Sequence, residues 1–399
     1  MKIDNLEVIH LHFDYPNRIG FTSAGGVTTG RLTSLVLVHT DTGETGIGSV
    51  YSHPGLVETV LKGHLEPLLV GEDPREVETL WGKMYRWTRW YGRKGAAMSA
   101  LGGLDMAFWD LRGKWLRKPL WELLGGDLPS CPAYASALLW KEPDELASDA
   151  AGHIAKGFRR VKMRLGRSEE YDAAAVRAVR RAIGERNDLM ADASMRYSVE
   201  LARRIGRVLE EVRAFWFEEP FEPEAIDMYV ALRGTVAVPL AAGENEFGEQ
   251  GFRELIRARA VDIVQPDACR CGGISEVLRV AKLAAEAGLK VAPHTWSDAV
   301  TVMANAHVVS GLPHGLTVEV DQTGNPFIED LLAEPLQIRD GWLTLSYAPG
   351  LGVSLNPKAL EKLTLPRDRT VPDGNYSDFV FGARFYGTVP PYGPGPGTP

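Results

Sequence analysis

Apolar and polar positions alternate along the first part of the chain and then lengthen into a helical rhythm. The opening MKIDNLEVIHLHFD alternates with a period of two, and residues 32–39 (LTSLVLVH) are apolar and β-branched, which predicts strands. The Asp41-Thr42-Gly43 turn followed by GIGSVY adds a hairpin signature. From about Leu56 the spacing becomes helical, and Ala97, Leu101, Leu104, Ala107, Phe108 and Leu111 recur at intervals of three and four. Gly125 and Gly126 stop that run, so an α+β unit over residues 1–127 is expected to close there.

After Pro132 short β-type runs alternate with longer helical ones. The runs are 133–138, 159–165, 189–194, 214–220, 238–244, 261–267, 289–294 and 316–321. Helical segments such as DAAAVRAVRRAIG and ISEVLRVAKLAAEAG lie between them. Eight βα units within about 200 residues predict an α/β fold, a parallel sheet closed into a (β/α)8 TIM barrel over residues 128–334. Residues 335–355 read as a further hairpin around Asp340-Gly341, so the segment 335–386 is expected to return to the first domain. The end, 387–399, holds four Gly and five Pro in thirteen residues and reads as an extended or disordered tail.

Composition narrows the function classes. Apolar residues make up 45% and charged residues 24% of the 399, which excludes a wholly disordered chain. With 44 basic and 52 acidic residues the net charge is −8, against broad binding of nucleic acid or anionic membrane. YRWTRWYGRKG (85–95) is basic with interleaved aromatics, but its place in a helix favours packing. No run approaches the ~20 apolar residues of a membrane span, and the first residues lack a signal-peptide core. Three cysteines (Cys131, Cys269, Cys271) make no disulfide framework and fit a reducing cytoplasm. No phosphate-cradling glycine loop is present, and Cys-Arg-Cys at 269–271 falls short of a zinc site.

The polar residues that close the barrel strands carry the chemistry. They are Lys162 and Arg164, then Asp192, Glu218, Glu244, Asp267, His294 and Glu319, with gaps from Asp192 onward of 26, 26, 23, 27 and 25. One βα unit advances the chain by that much and returns it to the same barrel end, so these side chains are expected at the C-terminal mouth. Asp192, Glu218 and Glu244 sit on three consecutive strands, where three carboxylates repel one another unless a cation joins them. With no Cys or His in the set, Mg²⁺ is the expected metal, with Mn²⁺ as a substitute. Lys162 and Arg164 are two apart on one strand and point the same way, which suits a small anionic substrate. Asp267 one strand before His294 suits a carboxylate that fixes the imidazole tautomer and raises its basicity. Glu319 is open to two roles, donating a hydrogen bond if protonated or holding a lysine. His53, in a first-domain loop, is the one other histidine in a suggestive place.

These residues resemble the enolase superfamily, and within it the mandelate racemase subgroup. The resemblance is carried by MSALGGLDMAFWDLRGKWLRKPLWELLGG (98–126), VKMRLG, ADAS, FEEP, GENE, QPDACRCGG and APHTW, in order and over nearly the whole chain. It implies a modified barrel under an α+β N-terminal capping domain, Mg²⁺ on Asp192, Glu218 and Glu244, and removal of a proton alpha to a substrate carboxylate. It implies Glu218 as the ligand within FEEP, with Glu219 behind it. It also implies a loop at 21–31 (FTSAGGVTTGR) that closes over the site, with Thr22 among its substrate contacts, and a homo-oligomer.

The sequence departs from the family in VKMRLG. Lys-x-Lys is common there, and the second lysine serves as a base; here that position is Arg164, whose pKa above ~12 makes it a poor one. One competent base remains, the His294–Asp267 pair. A single histidine can take the alpha proton and return it to a departing beta hydroxyl. The expected activity is therefore dehydration of an acid sugar, an aldonate or aldarate, to a 2-keto-3-deoxy acid. In that reading Lys162 and the metal hold the carboxylate, Glu319 hydrogen-bonds the developing enediolate oxygen, and Arg164 positions the substrate. The rivals are a racemase or epimerase of a hydroxy or amino acid, and a non-catalytic metal-binding scaffold.

Overall fold

The computed structural model describes residues 1–16, 20–23 and 26–366, with the short strands 375–376 and 379–380; the tail at 387–399 lies outside the described residues. The first unit is built on an antiparallel sheet of β1 (Ile3–Asp14), β4 (Gly30–Thr40) and β5 (Thr45–Val50), in the order β1-β4-β5. A small hairpin, β2 (Phe21–Ser23) and β3 (Gly26–Thr28), stands before β4. The apolar rhythm noted above becomes the Ala96–Leu116 helix, most of it buried. It lies so close on β5 that a Cβ added to Gly48 would come within 1.9 Å of the Gly103 carbonyl. The two glycines are what lets helix and strand backbones meet.

The barrel strands are β6 (Ser130–Ser136), β7 (Arg160–Arg164), β8 (Asp188–Asp192), β9 (Trp216–Glu218), β10 (Leu240–Ala242), β11 (Ile263–Val264), β12 (Lys290–Val291) and β13 (Val318–Asp321). They pair in parallel in chain order, and β13 pairs β6 from Val318↔Ala133 to Asp321↔Ser136. A bridge between Val291 and Gly315 closes the ring between β12 and β13. All eight runs read from the sequence are strands, but several are shorter than expected. β11 ends before Pro266, which has no N–H for the ladder, and β9 ends just before Glu219, whose φ is +35°. The last βα unit carries only a four-residue helix, Pro326–Glu329. Side chains that point inward along the strands fill the barrel: Tyr134, Met190, Trp216, Ala241, Ile263 and Ala292 pack together, large against small.

The hairpin around Asp340-Gly341 forms as β14 (Ile338–Arg339) and β15 (Trp342–Thr344), with both turn residues at positive φ. It joins the barrel sheet: β15 pairs antiparallel with Ser130, Cys131 and Pro132 of β6. The reason is that β6 starts below its parallel neighbours and leaves those backbone groups open. The chain beyond then runs against the first unit, where Leu351 N donates to Asp110 Oδ1 (2.8 Å) and Leu365 N to the His10 carbonyl (2.7 Å). The Val77–Thr88 helix buries Val77, Leu80, Met84 and Thr88. Trp87 and Trp90 fall off that face and are exposed, so packing accounts for only part of the 85–95 motif. Among the described residues no helix is long and apolar enough to cross a membrane.

His307 ties three parts of the chain together. Its Nδ1 accepts from Trp121 N (3.0 Å) and its Nε2 donates to the Leu351 carbonyl (3.1 Å), so the ring is neutral. Burial pulls its pKa down to about 4, against an ordinary 6.5. The unfolded chain takes up this proton near 6.5, whereas the folded chain refuses it until about 4. The neutral ring's stability contribution is therefore complete above that window and lost as pH falls through it, at most on the order of 3 kcal/mol. Urea unfolding between pH 7 and 4 is expected to show a shallower loss of stability in His307→Gln than in the wild type. Equal slopes would mean that another group controls the acid limb.

Candidate active site

The site is built where β7 to β13 end. Lys162 and Arg164 lie on β7, two apart and on one face, and Lys162 is fully buried. Its Nζ lies 2.7 Å from Glu218 Oε1, 2.8 Å from Glu319 Oε1 and 3.8 Å from Asp192 Oδ2. Burial works against the ammonium, but Glu218 and Glu319 outweigh it and hold its pKa above the ordinary lysine value. Arg164 pairs with Asp192 and stays charged. Trp216, two residues before Glu218 and so on the same face, donates its indole N–H to Glu218 Oε2 (2.8 Å). Of the two roles open to Glu319, the structure shows the lysine contact. Its carboxyl, although buried, is pulled well below the usual range by Lys162, then His294 and Arg164. Ionised, Glu319 accepts from Thr295 N at 3.0 Å.

Asp192, Glu218 and Glu244 each offer an oxygen, and these ligand atoms lie within 4.8 Å of one another. Glu244 Oε2 is buried and accepts no hydrogen bond, as suits an oxygen reserved for a cation. Five carboxylates (Asp192, Glu218, Glu244, Asp267, Glu319) face two permanent cations, Lys162 and Arg164, so a hard divalent ion fits the charge as well as the donor set. Glu219 sits behind the triad and accepts from Asn245 Nδ2 (2.8 Å). Burial, with Glu244 and Glu218 beside it, raises its pKa to about 8.

His294 and Asp267 form the expected pair, Nδ1 to Oδ2 at 2.8 Å. The bond leaves Nε2 facing the mouth, 3.5 Å from Glu244 Oε2 and 3.9 Å from Glu319 Oε2. Burial would lower the imidazole pKa, but Glu244, Glu319 and Asp267 together raise it to about 9. Asp267 is itself held by the Cys269 N–H (3.1 Å), the Cys269 thiol (3.2 Å) and Asn305 Nδ2 (3.3 Å). Asn305 also donates to the His294 carbonyl at 3.0 Å. Sequence reasoning passed over Asn305; the available signal was a lone amide in the mostly apolar run VTVMANAHVV.

The first-domain candidates make contacts of their own. His53 caps the helix that starts at Pro54, its Nδ1 accepting from Gly55 N at 3.1 Å. Thr22 lies in β2, and its carbonyl accepts from Trp140 N at 3.1 Å, which brings the hairpin to the ends of the first barrel strands. Phe21 packs edge-on to Trp296, 6.2 Å between ring centres.

Two family models divide the chain as its structure does. Residues 8–125 match the mandelate racemase/muconate lactonizing enzyme N-terminal domain, and residues 145–359 match the enolase C-terminal domain-like family. The chain belongs to the mandelate racemase/muconate lactonizing enzyme family. The first matched unit is thus the family's capping domain and the second its modified barrel. Among its relatives in this family, D-galactarolactone cycloisomerase of Agrobacterium fabrum is 34% identical over 345 residues, 83% of this chain and 91% of that protein. Arabinonate dehydratase of Saccharolobus solfataricus is 32% identical over 331 residues, 82% of this chain and 88% of that one. The structure of L-talarate dehydratase from Polaromonas sp. JS666, complexed with Mg and L-glucarate, matches with a TM-score of 0.80 and 29% identity, covering 91% of this chain and 98% of that chain.

Proposed function

We propose that this family member is a Mg²⁺-dependent acid-sugar dehydratase, a hydro-lyase acting on an aldonate or aldarate. One observation carries the reading: the mouth holds a metal-competent carboxylate triad, one His–Asp base and, at the alternative base position, a guanidinium. When bound, Mg²⁺ on Asp192, Glu218 and Glu244 would supply electrostatic stabilisation for the charge that develops on the substrate carboxylate. Mn²⁺, with the same preference for oxygen, is the expected substitute.

The protein's own residues do the rest. Lys162, kept cationic by Glu218 and Glu319, holds a carboxylate oxygen and opposes the developing charge. Part of the negative charge that holds His294 protonated in the metal-free site would be offset by a cation on Glu244; Asp267 keeps a proton on Nδ1, so the freed Nε2 is the nitrogen that takes the alpha proton. The electron pair of the broken C–H bond moves toward the carboxylate and then forms the C2–C3 double bond as the C3–O bond breaks. His294 returns its proton to the leaving hydroxyl, water departs, and the enol product becomes the 2-keto-3-deoxy acid. Arg164 orients the substrate and offers no second base, which disfavours a racemase. The three buried, unpaired thiols support a reducing cytoplasmic setting.

A second reading is favoured by the chain's similarity to cycloisomerases, one of them 34% identical. It shares the proton-abstraction step, but the leaving oxygen is a ring oxygen that stays attached. The test is incubation with Mg²⁺ and a set of acid sugars and their lactones, followed by semicarbazide detection and mass spectrometry. Dehydration gives a keto product lighter by one water, whereas cycloisomerisation gives a product of unchanged mass. Turnover with the hydroxyls retained and only the alpha configuration changed would overturn both in favour of an epimerase.

A further inference from the structure

Trp296 lies two residues beyond His294 and is nearly buried. Two guanidinium groups rest on its ring: that of Arg164 from the barrel, 5.2 Å from the ring centre, and that of Arg31 from β4 of the capping domain, at 4.7 Å. Arg31 is itself anchored. It is 2% exposed, bonds Asp321 Oδ2 at the end of β13 (2.6 Å) and Thr323 Oγ1 (2.7 Å), and donates from Nε to the Tyr15 hydroxyl at 3.2 Å. Its guanidinium also lies 5.1 Å from the Phe21 ring centre. The capping domain and the barrel mouth therefore meet on one indole.

We propose that Trp296 is a positioning residue that sets the aim of Arg164 and links it to the capping-domain hairpin. Arg164 has a long, rotamer-rich side chain, and its ion partner Asp192 is also the first of the metal-competent acids. A single ion pair leaves the plane of the donor fork free to turn, whereas a ring face fixes that plane. Arg31, locked to Asp321, keeps the ring in place from the other domain. The fork of Arg164 is then held toward the mouth before substrate arrives. The kinetic part of this inference rests on the dehydratase reading; the placement of Arg164 does not.

The test compares wild type, Trp296→Phe, Trp296→Leu, Arg164→Lys and the Trp296→Leu/Arg164→Lys double variant. On an acid sugar turned over by the wild type, Trp296→Leu is expected to raise KM about tenfold, the order of a desolvated cation–π contact, with a smaller change in kcat. Trp296→Phe, which keeps a ring face, should recover most of it. The double variant should be no worse than Arg164→Lys alone, because both changes remove one function. Independently of any substrate, modification of Arg164 by phenylglyoxal, mapped by peptide mass spectrometry, should be several-fold faster in Trp296→Leu than in wild type. Thermal unfolding of each variant separates a loss of fold from a loss of aim. Equal modification rates in a folded Trp296→Leu would overturn the proposal even if no sugar acid is turned over. So would Phe and Leu variants equally impaired, or effects that multiply in the double variant.

Discussion

Replacing His294 with Asn is expected to lower kcat by about 10⁴-fold, toward the upper end of what a general acid–base group contributes. The prediction follows from the site containing one base rather than two. His294 Nε2 is the side-chain nitrogen that faces the mouth with a carboxylate behind its partner nitrogen, and its pKa of about 9 lies below those of Lys162 and Arg164, which the surrounding acids hold above their ordinary values. Asn keeps a donor toward Asp267 and so disturbs the second layer little. KM should change by no more than a few-fold, because the carboxylate-holding groups stay in place. A variant that keeps a tenth of the activity would mean that another group takes the alpha proton.

The second large effect concerns the carboxylate triad. In metal-free protein, Asp192, Glu218 and Glu244 repel one another across less than 4.8 Å. His294, Arg164 and Lys162 nevertheless hold the Glu244 carboxyl below its ordinary range, so Glu244→Gln should not raise the melting temperature of the chelator-treated protein. With Mg²⁺ the gap between wild type and variant widens. At about 100 times its Kd the ion should stabilise the wild type by about 2.7 kcal/mol, and the variant, one ligand short, far less. Activity of the variant should fall by about 10³-fold, since charge developing on the substrate carboxylate then lacks its counter-charge. Mg²⁺ titrations followed by thermal unfolding, with and without chelator, check both halves. Equal stabilisation of wild type and variant would place the ion elsewhere.

The strand-end residues could be read from the sequence because each βα unit has a near-constant length. From Asp192 onward a spacing of 23 to 27 residues delivers each polar strand-end to the same rim, and Lys162, Asp192, Glu218, Glu244, Asp267, His294 and Glu319 meet there. What spacing does not encode is contact between elements far apart in the chain. Asn305 reaches Asp267 from inside an apolar helix, and Arg31 reaches Asp321 across 290 residues. The ionisation of Glu319 was open for the same reason, since it depends on which charges the fold brings beside it. Local pattern also misjudged the 85–95 motif, because the Val77–Thr88 helix presents its apolar stripe to the core and leaves Trp87 and Trp90 outside it.

The central claim is that His294 removes the proton alpha to the substrate carboxylate before the beta oxygen leaves. The direct measurement uses an acid sugar deuterated at C2, followed by mass spectrometry of substrate and product, in wild type and His294→Asn. The account predicts that the wild type releases the deuterium to solvent water as the 2-keto product forms, and that the label stays in the substrate incubated with the variant. Full transfer of the deuterium to C3, as in a 1,2-shift, or equal loss of label in the variant, would contradict it.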